Sequence, residues 1–282
     1  MTSEREETAD RIRFDPCAAA ATAAWEAADL HFVEPGADQP PYDGPVRTYV
    51  IAAAPRAGAM LLCHLLAATG RMGVPAGYLG RRAAMPVLAG RWGILGPRGV
   101  PVGEFFRRLV RLRTTPNGVM GLKLHFHQLE EFLPRSAVAR FASVARHVWL
   151  RRRDPVAQAI SFAIALRTQR FHAAKDDPEG DDDAPFSMAE TIDAARMCAM
   201  ADAAWRSYFL ANAITPLEVW YEDLVADPDV VCRAIAGMVG VTLDRPVSDA
   251  AIPLRRQSPD RYDRWRRALM GELRLDAPLR AA

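Results

Sequence analysis

The sequence predicts the α/β class: a doubly wound, mainly parallel sheet flanked by helices. Two observations predict the sheet and a third orients it. Four apolar runs, residues 49–54, 119–125, 147–151 and 217–221, have the length and composition of strands buried on both faces. Each leads into helical sequence, so strand and helix alternate along the chain. The first run passes through Pro55-Arg56-Ala57-Gly58 into a leucine-rich helix that closes at Gly70, and such turns mark the ligand-binding edge of these sheets. With 282 residues, 50% of them apolar, the chain has material for one large core.

Ahead of the first strand, residues 1–45 hold ten acidic and three basic side chains. Their net charge of −7 leaves about +9 on the remainder, so the formal +2 of the whole chain hides a basic main domain. Residues 17–33 suit an alanine-rich helix stopped by Pro35, and 40–45 a proline-rich connector. We therefore expect an acidic N-terminal segment over 1–45 and an α/β domain over 46–282. The N-terminus lacks the apolar stretch of a signal peptide, and no run of about 18 apolar residues exists to span a bilayer. Cys17, Cys63, Cys198 and Cys232 are far apart, with neither a C-x-x-C pair nor metal-ligand spacing. A soluble, cytoplasmic protein with reduced cysteines is expected.

After the first helix, residues 80–113 carry eight arginines against one glutamate. They read as a solvated arginine face or as the border of a binding pocket, with a helix over 103–112. Asp154-Pro155 and Asp227-Pro228 are helix starts, with Asp as N-cap and Pro in the first turn; the second helix runs to Gly240. Residues 172–185 are acidic and broken by proline, so they read as a mobile loop. Asp181, Asp182 and Asp183 inside it read as a solvated run, and no metal is expected. The basic main domain suits a polyanion. Without a helix-turn-helix, zinc-finger or RNA-binding signature, that polyanion is expected to be a small molecule and not nucleic acid.

The turn at 55–60 has the layout of a phosphate cradle. The first N–H groups of a helix have no intrahelical partner and lie at the positive end of its dipole, so an anion placed there meets ready donors. Gly58 permits close backbone approach, and Arg56 adds a fixed charge. The ATPase pattern G-x-x-x-x-G-K-[ST] is not met, because the lysine and the hydroxyl residue are both missing. That disfavours hydrolysis of a magnesium nucleotide, and a kinase on the same fold.

The stretch 49–70 resembles the donor-binding loop of sulfotransferases, most closely that of the bacterial trehalose 2-sulfotransferase family. Thr115-Pro116-Asn117-Gly118-Val119-Met120-Gly121-Leu122-Lys123-Leu124, then Arg151-Arg152-Arg153-Asp154 with Gln158-Ala159-Ile160-Ser161, and then 165–168, resemble that family's further blocks in its order. Arg256-Gln257 fits its end more loosely. The resemblance implies a P-loop NTPase-like fold and 3'-phosphoadenosine-5'-phosphosulfate (PAPS) as donor, with adenosine 3',5'-bisphosphate as product. The implied acceptor is a hydroxyl of a small molecule, sugar or glycolipid, and a homodimer is compatible with the family. Residue roles follow from the same blocks. Arg56 and the backbone of Ala57, Gly58, Ala59 and Met60 hold the 5' phosphosulfate. Arg152 and Ser161 hold the 3' phosphate, with Arg153 beside them and Arg256 in support; a guanidinium fork and a hydroxyl suit phosphate oxygens.

Two departures from the family stand out. Its loop reads Arg-Ser-Gly-Ser-Thr where this chain has Arg56-Ala57-Gly58-Ala59-Met60, so three hydroxyls are gone, each worth about 1.5–3 kcal/mol when bonded to a charged group. The family's glutamate base falls at Gly77. Lys123-Leu124-His125 offers a replacement, since side chains two apart on a strand share a face. The spacing resembles the animal cytosolic sulfotransferases, in which the histidine is the general base and the lysine assists the leaving group. An imidazole titrating near neutral pH suits that task. His125 is the expected base, with His127 second, Lys123 and Arg56 as charged partners, and His64 structural. The competing reading is a non-catalytic relative that binds PAPS or its product as a scaffold, to which the missing hydroxyls and glutamate point.

Overall fold

A computed structural model describes residues 11–12, 32–80, 84–132, 136–171, 185–248, 252 and 259–273. The first strand, β1 (Arg11–Ile12), pairs antiparallel with β3 (Val100–Pro101) in a small sheet of its own. The main sheet holds β2 (Arg47–Ala53), β4 (Val119–Leu124), β5 (Arg146–Arg151) and β6 (Leu217–Trp220) in the order β4-β2-β5-β6, all parallel. After β2 the chain forms β4 on one side, then passes back to form β5 on the other. The C-terminal ends of β2 and β5 therefore flank the switch point, where a crevice opens for ligands.

Burial explains the strands. All six residues of β4 are buried, as are the last five of β2 and the middle four of β5, as both-face coverage by helices requires. Gly121 in β4 is explained by Tyr49 of β2: a side chain at 121 would collide with the Tyr49 ring, whose hydroxyl donates to Met72 O at 2.7 Å. Each strand expected from sequence is present with small shifts at its ends. His125 and Tyr221 fall just past their strands, because residues 126 and 221 already begin helices.

The helices are α1 (Ala59–Ala68), α2 (Ala84–Arg91), α3 (Val102–Arg113), α4 (Phe126–Phe132) and α5 (Ser136–Val144). They continue with α6 (Pro155–Thr168), α7 (Met188–Ala211), α8 (Tyr221–Ala226), α9 (Pro228–Val239) and α10 (Pro259–Leu273). The two Asp-Pro starts cap as expected: Asp154 accepts from Ala157 N at 2.8 Å and Asp227 from Val230 N at 3.0 Å. Gly240 closes α9 in the left-handed region, φ 76°.

The reading of 80–113 as a solvated arginine face is corrected at Arg113, which is fully buried between the rings of Tyr78 and Trp92. Arg113 bonds Asp38 and donates to Phe32 O at 3.1 Å, while Arg91 reaches the same carboxylate at 2.6 Å. Phe32, Val33 and Ala37 share the core of the main sheet, so packing crosses the boundary expected at 45/46. Most of the helix expected over 17–33, nearly all of the acidic stretch with Asp181, Asp182 and Asp183, and Arg256 lie outside the described residues. Among the described residues no group of three or more His, Cys, Asp or Glu could hold a metal ion, and no helix is long and apolar enough to cross a membrane.

Candidate active site

From Ala53 the chain turns into α1 through Arg56 and Gly58, whose backbones are both left-handed at φ 60° and 87°. Gly58 is required on two grounds: an L side chain is strained at that φ, and a Cβ there would run into the Tyr221 ring. Arg56 adopts the left-handed region with its Cβ in place, at a cost of about 1–2 kcal/mol. Tertiary contacts must hold it there. Gln158 Nε2 donates to Pro55 O at 2.7 Å, Arg56 Nε donates to Ser161 Oγ at 2.9 Å, and Arg152 Nη1 approaches Arg56 O at 3.4 Å. The Arg56 guanidinium also donates to Phe171 O. Gln158 and Ser161, three apart on α6, thus grip the turn on either side of its strained peptide.

The Arg152 guanidinium lies over the Tyr221 ring, 4.7 Å from its centroid. Tyr221 therefore touches both the turn glycine and the neighbouring arginine. Sequence reasoning gave it no role, although its place just past a strand of a parallel sheet was the available signal. Arg153 is directed to Asp223, with both terminal nitrogens 2.7 Å from the carboxylate, and its backbone N–H meets Glu222 at 3.0 Å. The arginine pair is thus divided between the turn and an exposed ion pair. Cys198 of α7 stands 3.7 Å from Pro55 O; burial pushes its thiol up to about 12 against the opposing pull of Arg152 and Arg56.

The second half of the site comes from β4, which runs beside β2 with Lys123 opposite Ile51. His125 Nδ1 lies 2.9 Å from Ala53 O, and its Nε2 lies 2.7 Å from Lys123 Nζ. A carbonyl only accepts and an ammonium only donates, so Nδ1 carries the proton and Nε2 presents its lone pair. The backbone N–H of His125 donates to Gln128 Oε1 at 2.9 Å, fixing the residue where strand becomes helix. His127 stacks on His125 with centroids 5.8 Å apart, and burial followed by the Lys123 charge holds its pKa below the ordinary value. A Cβ at Gly77 would sit 3.6 Å from Lys123 Nζ, so the position that the family resemblance gives to a glutamate adjoins this lysine.

Backbone donors and fixed guanidinium charge at the switch point, without the lysine and hydroxyl pair of a nucleotide hydrolase, are the arrangement of an anion-binding α/β protein with a P-loop-like fold. Residues 48–269 match the family model described as Stf0 sulphotransferase, and the chain belongs to that family of sulfotransferase enzymes. It is 27% identical to a trehalose 2-sulfotransferase of Mycobacterium tuberculosis over 254 residues, covering 78% of this chain and 93% of that protein. A trehalose 2-sulfotransferase of Mycolicibacterium smegmatis is 25% identical over 258 residues, with 77% and 92% covered. Among solved structures, the sulfotransferase domain from the Synechococcus PCC 7002 olefin synthase shares the fold at TM-score 0.50 and 18% identity, covering 86% of this chain and 93% of that one.

Proposed function

We propose that this sulfotransferase carries the sulfuryl group of PAPS to a hydroxyl of a small-molecule, sugar or glycolipid acceptor, with His125 as general base. The observation that carries the reading is the placement of His125: its Nδ1 lies 2.9 Å from Ala53 O and its Nε2 2.7 Å from Lys123 Nζ, which suits an Nδ1–H tautomer with a basic Nε2. The donor's 5' phosphosulfate is met by the N–H groups of Gly58, Ala59 and Met60 together with Arg56, the turn's backbone passing through Ala57. Its 3' phosphate falls to Arg152 and Ser161, with Arg153 contributing by exchanging Asp223 for phosphate, and Arg256 by resemblance.

Transfer places the acceptor oxygen in line with sulfur. A new S–O bond forms as the bond from sulfur to the bridging phosphate oxygen breaks, and the hydroxyl proton passes to His125 Nε2. The Nδ1–H bond to Ala53 O then stabilises the imidazolium. Since Nε2 already receives Lys123, the ammonium turns to the departing oxygen of adenosine 3',5'-bisphosphate as the hydroxyl takes its place. Cys63, Cys198 and Cys232 stand as buried thiols, in keeping with a cytoplasmic enzyme.

The test follows labelled sulfate from PAPS to a panel of hydroxylated acceptors that begins with trehalose, the sugar in the relatives' names. His125→Ala is expected to lower kcat about 10²–10⁴-fold with donor affinity kept. Full activity in that variant overturns the role of His125. Calorimetric preference for ATP over adenosine 3',5'-bisphosphate overturns the donor.

A further inference from the structure

We infer that Gln158 is a positioning residue that sets the grip of the turn on the donor's 5' phosphate group, an inference that rests on the donor reading above. Ala57, Ala59 and Met60 leave the turn without hydroxyls, so its neutral hydrogen bonds to that group come from backbone N–H alone. Their direction is set by the conformation of the turn. Arg56 is its strained member, at φ 60° with a side chain in place. Pro55 O and Arg56 N belong to one rigid peptide plane, so whatever fixes that oxygen fixes the plane about which Arg56 turns.

Gln158 fixes it. The residue is 7% exposed and its Nε2 lies 2.7 Å from Pro55 O. The amide is held to that oxygen because a buried donor left unpaired is costly. The helix that carries it is itself anchored, by the Asp154 cap and by Arg266, which reaches Asp154 at 3.0 Å. One helical turn on, Ser161 takes Arg56 Nε. The Cys198 thiol at 3.7 Å is a weak second donor to Pro55 O and does not substitute for an amide. Gln158 touches no donor atom in this scheme and acts through the turn.

Calorimetry on the full chain with adenosine 5'-monophosphate, adenosine 3'-monophosphate and adenosine 3',5'-bisphosphate tests the inference. Gln158→Met keeps the length and removes the donor. It is expected to weaken the two 5'-phosphorylated probes about tenfold, the worth of one hydrogen bond, and to leave the 3'-monophosphate unchanged. Should Gln158→Met melt early, Gln158→Asn keeps the amide but withdraws it by one methylene, and the same split is expected. Equal weakening of all three probes, or none, overturns the inference. If the wild-type chain binds none of them, the donor reading itself fails.

Discussion

Arg152 joins the turn to the far side of the sheet: it approaches Arg56 O at 3.4 Å and covers the Tyr221 ring at 4.7 Å. Arg152→Ala is expected to weaken adenosine 3',5'-bisphosphate about 10–100-fold in calorimetry, through loss of a charge-assisted fork. An unchanged Kd refutes its role, and Arg152→Lys should recover only part of the affinity, because a point charge lacks the fork. His147 is a titratable residue of a different kind, 5% exposed on β5 against the rings of Tyr208 and Phe209. Burial lowers its pKa to about 4, with the backbone at Ala145 pulling weakly the other way. The unfolded chain takes up its proton first, so stability is full above about pH 6.5 and falls as pH drops toward 4. Roughly 3 kcal/mol should be lost over that window. In denaturant titrations from pH 7 to 4, His147→Phe should flatten the slope; an unchanged slope assigns the acid sensitivity elsewhere.

Among the elements, α6 does most to shape the site, since it carries Gln158 and Ser161 and begins at Asp154. Burial raises the Asp154 pKa, but bonds from Ala157 N and Arg266 outweigh it and leave the carboxyl below its ordinary value. A depressed carboxylate contributes stability above its unfolded pKa and loses it as pH falls below. Asp154→Ala is expected to cost about 0.5–2 kcal/mol at neutral pH, the worth of an N-cap. Part of that cost should appear as weaker donor binding, because the start of α6 frays beneath the turn. A variant with unchanged melting and binding would show that Pro155 alone holds the helix start.

At the scale of the whole molecule, the segment before β2 joins the fold through Phe32, Val33 and Ala37 in the core and through the Asp38 carboxylate. Asp38 is the carboxylate partner of fully buried Arg113 and also receives Arg91. Removing Asp38, itself half-buried, leaves the charge of fully buried Arg113 without its carboxylate. Asp38→Ala is therefore expected to cost about 3–5 kcal/mol in chemical denaturation. A loss below about 1 kcal/mol, the range of exposed ion pairs, would mean that the pair adds little to the apolar packing of Phe32, Val33 and Ala37.

The sequence by itself determined the α/β class, the strand–turn–helix at 55–60, both Asp-Pro caps and the close backbone approach that Gly58 permits. Each is a local signal: apolar runs, a capping side chain and a residue without a Cβ read the same wherever they occur. Composition read the arginines of 80–113 as a solvated face or a pocket border because charge counts carry no partners; only packing placed Arg113 against Asp38, 75 positions away. Tertiary structure alone decided that Gln158 would hold Pro55 O across 103 positions, that Tyr221 would cover Gly58, and that Nδ1 of His125 would face Ala53 O. Those contacts arise from strand order and helix docking, which place distant residues at one sheet edge and leave no periodic trace in the chain.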